Sequence, residues 1–183
     1  VNSKTDIIVI GGGAAGFFAA IRAAEAGRKV VLLEKTGKLL TKVLVSGGGR
    51  CNVTHNCFYP AQLIKHYPRG GRSLKKCFET FGPKETINWF GKRGVELKTE
   101  SDGRMFPTSN SAQTIADCLV QSARQSGVEV YTHSDVREIR LSAEGSFEVT
   151  LKSEKQLCST KLIVTTGGFN KSSGYDFIRK IGI

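Results

Sequence analysis

The residues Asp6-Ile7-Ile8-Val9-Ile10 run directly into Gly11-Gly12-Gly13-Ala14-Ala15-Gly16, and these open an alanine-rich stretch with helical spacing. The pattern is G-x-G-x-x-G set between a strand and a helix. A second apolar strand, residues 29–34, follows and ends on Glu34. That order predicts two parallel strands joined by a crossover helix, a Rossmann-like βαβ unit of the kind that holds dinucleotides. Each residue has a physical task. Gly11 permits the tight turn off the strand, and Gly13 lets a pyrophosphate approach the backbone. Gly16 lets the helix pack close to the strand. The helix N-terminus, at Ala14 and Ala15, offers N–H groups and a partial positive charge to the phosphates. Glu34 is placed to accept hydrogen bonds from a ribose diol, and its charge disfavours a 2′-phosphate there.

The 183 residues suffice for one well-buried domain, and 39% apolar with 23% charged residues is ordinary for a globular protein. No apolar run approaches the ~20 residues of a membrane-spanning helix, and no signal peptide is visible, since residues 1–5 lead straight into the first strand. The five cysteines show no C-x-x-C spacing. They fit reduced thiols and a cytoplasmic setting rather than a disulfide framework. Cys51, His55 and Cys57 lack a fourth ligand at sensible spacing, so no metal site is expected.

The net charge of +11 is unevenly placed. Lys35, Lys38, Lys42, Arg50, Lys65, Arg69, Arg72, Lys75 and Lys76 occur in a stretch, residues 35–77, with no Asp or Glu. Such a field attracts cofactor phosphates, an anionic substrate or nucleic acid. For residues 65–76 a solvated basic face is the simpler reading. Phe58, Tyr59 and Tyr67 form no stacking pattern in the sequence, which argues against nucleic acid as a partner.

Farther along, residues 35–60 read as a long loop rich in glycine and basic residues, a length that suggests function. Residues 61–93 read as helices starting near Ser73 and Pro83. Short extended pieces, residues 95–98 and 104–106, flank the turn Ser101-Asp102-Gly103. Residues 111–126 carry Ile115, Leu119 and Ala123 at helical spacing, and residues 128–131 form a third short strand. Three strands, residues 136–141, 147–151 and 156–164, make an antiparallel meander. A further helix signal covers residues 175–180.

At this point the chain resembles a known family. Ser46-Gly47-Gly48-Gly49-Arg50-Cys51-Asn52, following Lys42 and Val43-Leu44-Val45, is similar to the hallmark loop of bacterial FAD-dependent oxidoreductases of the BaiN-like, or aminoacetone-oxidase-like, type. Gly103-Arg104-Met105-Phe106-Pro107 is similar to that family's G-R-x-F-P element. Thr165-Thr166-Gly167-Gly168 is similar to its A-T-G-G turn, with Thr165 in place of alanine.

The resemblance implies an α/β fold of glutathione-reductase type. Residues 1–183 would be a Rossmann-like FAD-binding domain with a parallel sheet, a helical and loop insertion at 61–126 and a meander at 134–164. A substrate domain and a closing segment would lie outside this chain. It implies FAD as cofactor, reduced nicotinamide as electron donor and a small-molecule substrate; the alternatives are a tRNA-modification-type flavoprotein that binds nucleic acid through the basic residues 35–77, and a truncated, non-catalytic dinucleotide-binding module.

The cofactor contacts so implied are Gly11, Gly13, Ala14, Ala15, Gly16, Glu34, Lys35, Lys42, Gly47, Gly48, Gly49, Arg50, Cys51, Asn52, Val136, Thr166 and Gly167. Physical chemistry agrees in part. A triple glycine can turn its N–H groups inward as an anion-binding nest, and Lys42 and Arg50 add positive charge that favours a reduced flavin anion. Cys51 reads as a packed residue beside the cofactor, since Cys57 can reach it only if the loop folds back. Arg104 reads equally as a substrate-carboxylate ligand or a surface arginine. No catalytic residue is singled out.

Overall fold

A computed structural model describes residues 4–169, 171–179, 181 and 182. In chain order its elements are β1 (Lys4–Ile10), α1 (Ala14–Glu25), β2 (Val30–Leu33), α2 (Thr41–Val45), a 3-10 turn (Ser46–Gly49), β3 (Thr54–His55) and α3 (Pro60–Leu63). A second 3-10 turn (Ile64–His66) precedes α4 (Gly71–Thr80), α5 (Pro83–Gly91), β4 (Leu97–Thr99), β5 (Arg104–Pro107) and α6 (Ala112–Gln125). Then come β6 (Glu129–Tyr131), β7 (Val136–Leu141), β8 (Phe147–Leu151), β9 (Gln156–Val164), a third 3-10 turn (Ser172–Tyr175) and α7 (Asp176–Arg179). The chain divides into two compact units. One joins the chain up to Lys42 with the chain from Leu119 onward; the other is Val43–Cys118.

The first unit is built on a six-stranded sheet in the order β6-β2-β1-β9-β8-β7. β6, β2, β1 and β9 run parallel, and β9-β8-β7 continue antiparallel. The alternation of β1 splits its residues between two faces. Ile8 and Ile10 join Val31, Leu33, Ile139 and Val149 in one buried cluster. α1, with Phe17, Ala20 and Ile21 fully buried, packs on β1 and β2. Gly27 ends that helix at φ +80°, its N–H donating to Ala24 O at 2.9 Å, as its position in the sequence predicts.

The meander is present, but it is not a separate sheet. β9 is long enough for its first residues to pair with β8, while Cys158 to Val164 pair with β1, so one strand serves both halves. Alternation cannot reveal that sharing, because both kinds of neighbour satisfy the same period.

The second unit holds an antiparallel sheet in the order β3-β5-β4. Trp89 and Phe90 of α5 and Met105 and Phe106 of β5 supply its buried core. The turn Ser101-Asp102-Gly103 joins β4 to β5 as expected. One expectation needs correction. Residues 35–60 are not simply a loop, for they include α2, a 3-10 turn and β3. Residues 41–45, T-K-V-L-V, are rich in β-branched residues that disfavour helix locally, so tertiary packing around buried Val43 prevails over propensity. The second helix of the insertion begins at Gly71, two residues before Ser73, where Gly70 at φ +73° turns the chain into it. The helix signal at residues 175–180 is met by α7, which a 3-10 turn precedes; Lys180 lies outside the described residues.

Candidate dinucleotide-binding site

Where β1 ends, the four glycines of the turn have different reasons to be glycine. Gly11 sits at φ +113°, and a Cβ there would stand 2.6 Å from Thr165 O. A Cβ on Gly16 would stand 1.9 Å from Gly11 O, so α1 lies as close to the turn as backbone allows. A Cβ on Gly12 would meet the Glu34 side chain at 2.9 Å. Gly13 differs from all three. Its φ of −89° suits any residue, and a Cβ there would have nothing within 4 Å among the described residues. Neither the backbone nor the packing of the chain requires glycine at this position.

Gly13 is also the N-cap of α1, with no side-chain cap and no acidic residue in the first turn. Its carbonyl accepts the Phe17 N–H at 3.0 Å, and Ala14 and Ala15 are exposed. Among the described residues, the positive end of the helix dipole is therefore left without a capping side chain.

Glu34 is half-buried and fixed by its neighbours. One carboxylate oxygen accepts the Gly12 N–H at 2.8 Å, and the other accepts the Thr36 N–H at 2.9 Å and the Thr36 hydroxyl at 2.8 Å. The connection from β6 to β7 passes the same corner, since Ser134 N–H donates to Glu34 O and His133 N–H to Thr36 O. Val136, two residues past Ser134, opens β7 half-buried, paired with Leu151 beside a bulge. Leu40, buried at φ +56°, donates its N–H to Gly12 O at 2.9 Å. Lys35 is exposed, with its ammonium 5.7 Å from the centre of the Phe169 ring.

On the other side of the turn, Thr165 donates both its N–H and its hydroxyl to Ile10 O, at 2.8 and 2.9 Å. The residue that stands where the resembled turn has alanine thus ties the end of β9 to the end of β1. Thr166 is half-buried. Gly167 has φ +73°, and a Cβ there would lie 3.3 Å from the Lys42 ammonium. Gly11 to Gly16, Glu34, Lys42 and Gly167 are therefore gathered at the carboxyl ends of the parallel strands, where α/β sheets bind ligands.

In the second unit Gly47, Gly48 and Gly49 all have positive φ, between +55° and +82°. A Cβ on Gly47 would strike the Phe106 ring at 2.8 Å and Asn52 N at 2.9 Å. The N–H groups of Arg50 and Cys51 both donate to Ser46 O, so two donors of the expected nest close on the loop's own carbonyl. Arg50 pairs with Glu100, and its guanidinium lies 4.1 Å from the Phe106 ring centre. Glu100 is the partner the sequence reading missed; it lies fifty residues away and carries no motif.

Cys51 is buried at φ +62°, and that burial pushes its thiol pKa up, with a Ser46 hydrogen bond opposing. All five cysteines are free thiols. Asn52 is exposed. Arg104 is also engaged, its Nε donating to Asp102 at 2.7 Å. The Asp102 carboxyl is held below its usual range, first by the Arg104 backbone N–H and also by the Arg104 side chain.

Comparison with known proteins follows from this geometry. Residues 5–174 match the family described as HI0933-like protein Rossmann domain. The chain is 31% identical over 186 residues to the ribosomal RNA dihydrouridine synthase of Escherichia coli, covering 98% of this chain and 45% of that protein. It is 30% identical over 181 residues to the 3-dehydro-bile acid delta(4,6)-reductase of Clostridium scindens, covering 95% of this chain and 43% of that protein. The chain thus spans less than half the length of these two relatives. Among solved structures, the open conformation of a flavocytochrome c3 fumarate reductase superposes with a TM-score of 0.65 at 22% identity, over 91% of this chain and 34% of that one. That last likeness is one of fold.

Proposed function

Because the chain belongs to the HI0933-like Rossmann-domain family of FAD-dependent flavoproteins, we propose that it holds FAD in an oxidoreductase that carries hydride from a reduced nicotinamide to a small organic acceptor. Gly13 carries this reading. Its neighbours in the turn are glycine because a side chain would collide with protein, whereas at Gly13 only something outside the protein would be excluded. The uncapped start of α1, with the Ala14 and Ala15 N–H groups, suits the pyrophosphate. Glu34, already oriented by Gly12 and Thr36, suits the ribose diol. Lys35 and Lys42 would add positive charge, and Thr166, Gly167 and Val136 would offer backbone. By resemblance Gly47, Gly48, Gly49, Arg50, Cys51 and Asn52 line the flavin end. Bound FAD would supply the two-electron carrier, while the residues of this chain bind and orient it.

The class of acceptor follows from the relatives' names. Uridine, which becomes dihydrouridine, and a 3-dehydro-bile acid with a Δ4 bond both carry a C=C conjugated to a carbonyl. Addition of a hydride and a proton across that bond consumes the two electrons that the nicotinamide gives up. The Ser46–Asn52 loop supports the BaiN-like branch by resemblance, while identities of 30% to the C. scindens reductase and 31% to the E. coli synthase weigh the two relatives alike. Five free thiols suit a reducing cytoplasm.

The test is anaerobic. NADH or NADPH should bleach the oxidised flavin spectrum of the whole protein, and a 4-en-3-one steroid should restore it. No bleaching by either nicotinamide, or no restoration by the enone under the same anaerobic conditions, would end this reading.

A second reading, in which the conjugated acceptor is a uridine within RNA, is favoured by one observation. Lys65, Arg69, Arg72, Lys75 and Lys76 are all exposed in a stretch with no carboxylate, and the E. coli relative is named for ribosomal RNA.

A further inference from the structure

We propose that residues 56–78 form a docking surface for a single-stranded nucleic acid. This rests on the second reading above and deepens it by locating the surface in the second unit. No Asp or Glu occurs between Asn56 and Phe78. Lys75 alone among the five exposed cations there has a carboxylate partner, Glu79 at 3.9 Å, and both side chains of that pair are about half exposed. Lys65, Arg69, Arg72 and Lys76 have no ion-pair partner among the described residues. α4 sets Arg72, Lys75 and Lys76 on one face by their i, i+3, i+4 spacing, while Leu74 and Phe78 lie half-buried on another. The basic face contributes no buried residue to the core and is free for a partner.

Three large aromatic side chains accompany these cations. Phe58 is 49% exposed, Tyr59 71% and Tyr67 41%, and the Tyr67 ring lies 5.4 Å from that of Phe78. A recess of about 260 Å³ opens between Phe58, Pro60, Phe78 and Pro83, with Glu79 and Glu85 also on its wall. Cations that track a phosphate backbone, with aromatic faces between them for unpaired bases, are the features by which single strands are held. An anionic membrane fits less well. A helix lying on lipid presents its apolar face outward, whereas Leu74 and Phe78 of α4 are already half covered by protein.

The experiment is fluorescence anisotropy of the full chain with a labelled, unstructured, uridine-containing RNA oligonucleotide across a salt series. About five phosphate contacts predict a slope near −3.5 in log affinity against log salt, about a 100-fold loss between 50 and 200 mM. The triple variant Arg69→Glu, Arg72→Glu, Lys76→Glu should bind far more weakly, with a slope shallower by about 2. Tyr59→Ala should bind about tenfold more weakly at unchanged slope. Flavin binding by each variant should match the parent, so a failure here leaves the flavin reading standing. Absence of RNA binding at low salt, or binding undiminished in the triple variant, overturns the proposal. So does tighter binding of the same RNA as a duplex, or equal binding of phosphatidylserine vesicles lost in the same variant.

Discussion

The Glu34 carboxylate accepts the backbone N–H of Gly12 at 2.8 Å, so the acidic end of β2 holds the glycine turn that follows β1. Glu34 therefore shapes the turn as well as offering oxygens to a ligand. Glu34→Ala should weaken FAD binding about tenfold or more, since a charge-assisted hydrogen bond contributes about 1.5–3 kcal/mol. Glu34→Gln should be intermediate, because its single carbonyl oxygen cannot serve Gly12 and Thr36 as the two carboxylate oxygens do. Titration calorimetry with FAD checks the order, and equal affinity in all three proteins would remove Glu34 from the site.

Gly13 and Gly16 should behave in opposite ways. Gly16→Ala places a Cβ 1.9 Å from Gly11 O and should destabilise the fold by about 1–3 kcal/mol or more. Gly13→Val brings in a Cβ that meets no protein atom within 4 Å and should cost only about 1 kcal/mol, as a poorer N-cap, while abolishing FAD binding. Thermal melts with and without FAD separate the two effects.

Arg50 is committed to Glu100 and to the Phe106 ring, so its charge is partly compensated within the second unit. Arg50→Ala should destabilise the protein by about 1 kcal/mol through the ion pair, with a further ~0.5–1 kcal/mol from the ring contact. A double-mutant cycle with Glu100→Gln should show coupling. The flavin potential of Arg50→Ala should move by less than about 30 mV, equivalent to ~1.4 kcal/mol in a two-electron couple. A larger drop would show that the guanidinium acts on the flavin despite Glu100.

Cys51 should be the protected thiol and Cys77 the reactive one. Burial raises the Cys51 pKa, so its thiolate fraction at neutral pH is below that of an ordinary cysteine and grows only as pH rises through the shifted value. Cys77 is exposed. Iodoacetamide at pH 7 followed by peptide mapping should label Cys77 first. Early labelling of Cys51 would point instead to a reactive cysteine beside the cofactor.

The β1-turn-α1-β2 unit was legible in the sequence because everything that specifies it is local: a period of two, then glycines, then a period near 3.6. The Ser46–Asn52 loop was legible as a string but not as a shape. Nothing in Gly47-Gly48-Gly49 shows that Ser46 O accepts the N–H groups of Arg50 and Cys51, or that the Arg50 charge meets Glu100. Glu100 comes from the β4–β5 hairpin, which is distant in sequence. α2 was illegible for a related reason, since a β-branched segment becomes helical only when buried Val43 is placed by packing. Thr165 stood out in the sequence as a departure from alanine. Its role in tying β9 to Ile10 needed the parallel register.

The most direct test of dinucleotide binding is a titration of FAD into the chain, followed by flavin fluorescence and visible absorption, beside the Gly13→Val variant. The wild-type chain should perturb the flavin saturably at one FAD per chain, and Gly13→Val, folded to the same degree, should not. No perturbation by the wild type, or an equal one by Gly13→Val, would contradict the assignment of this turn as the FAD site.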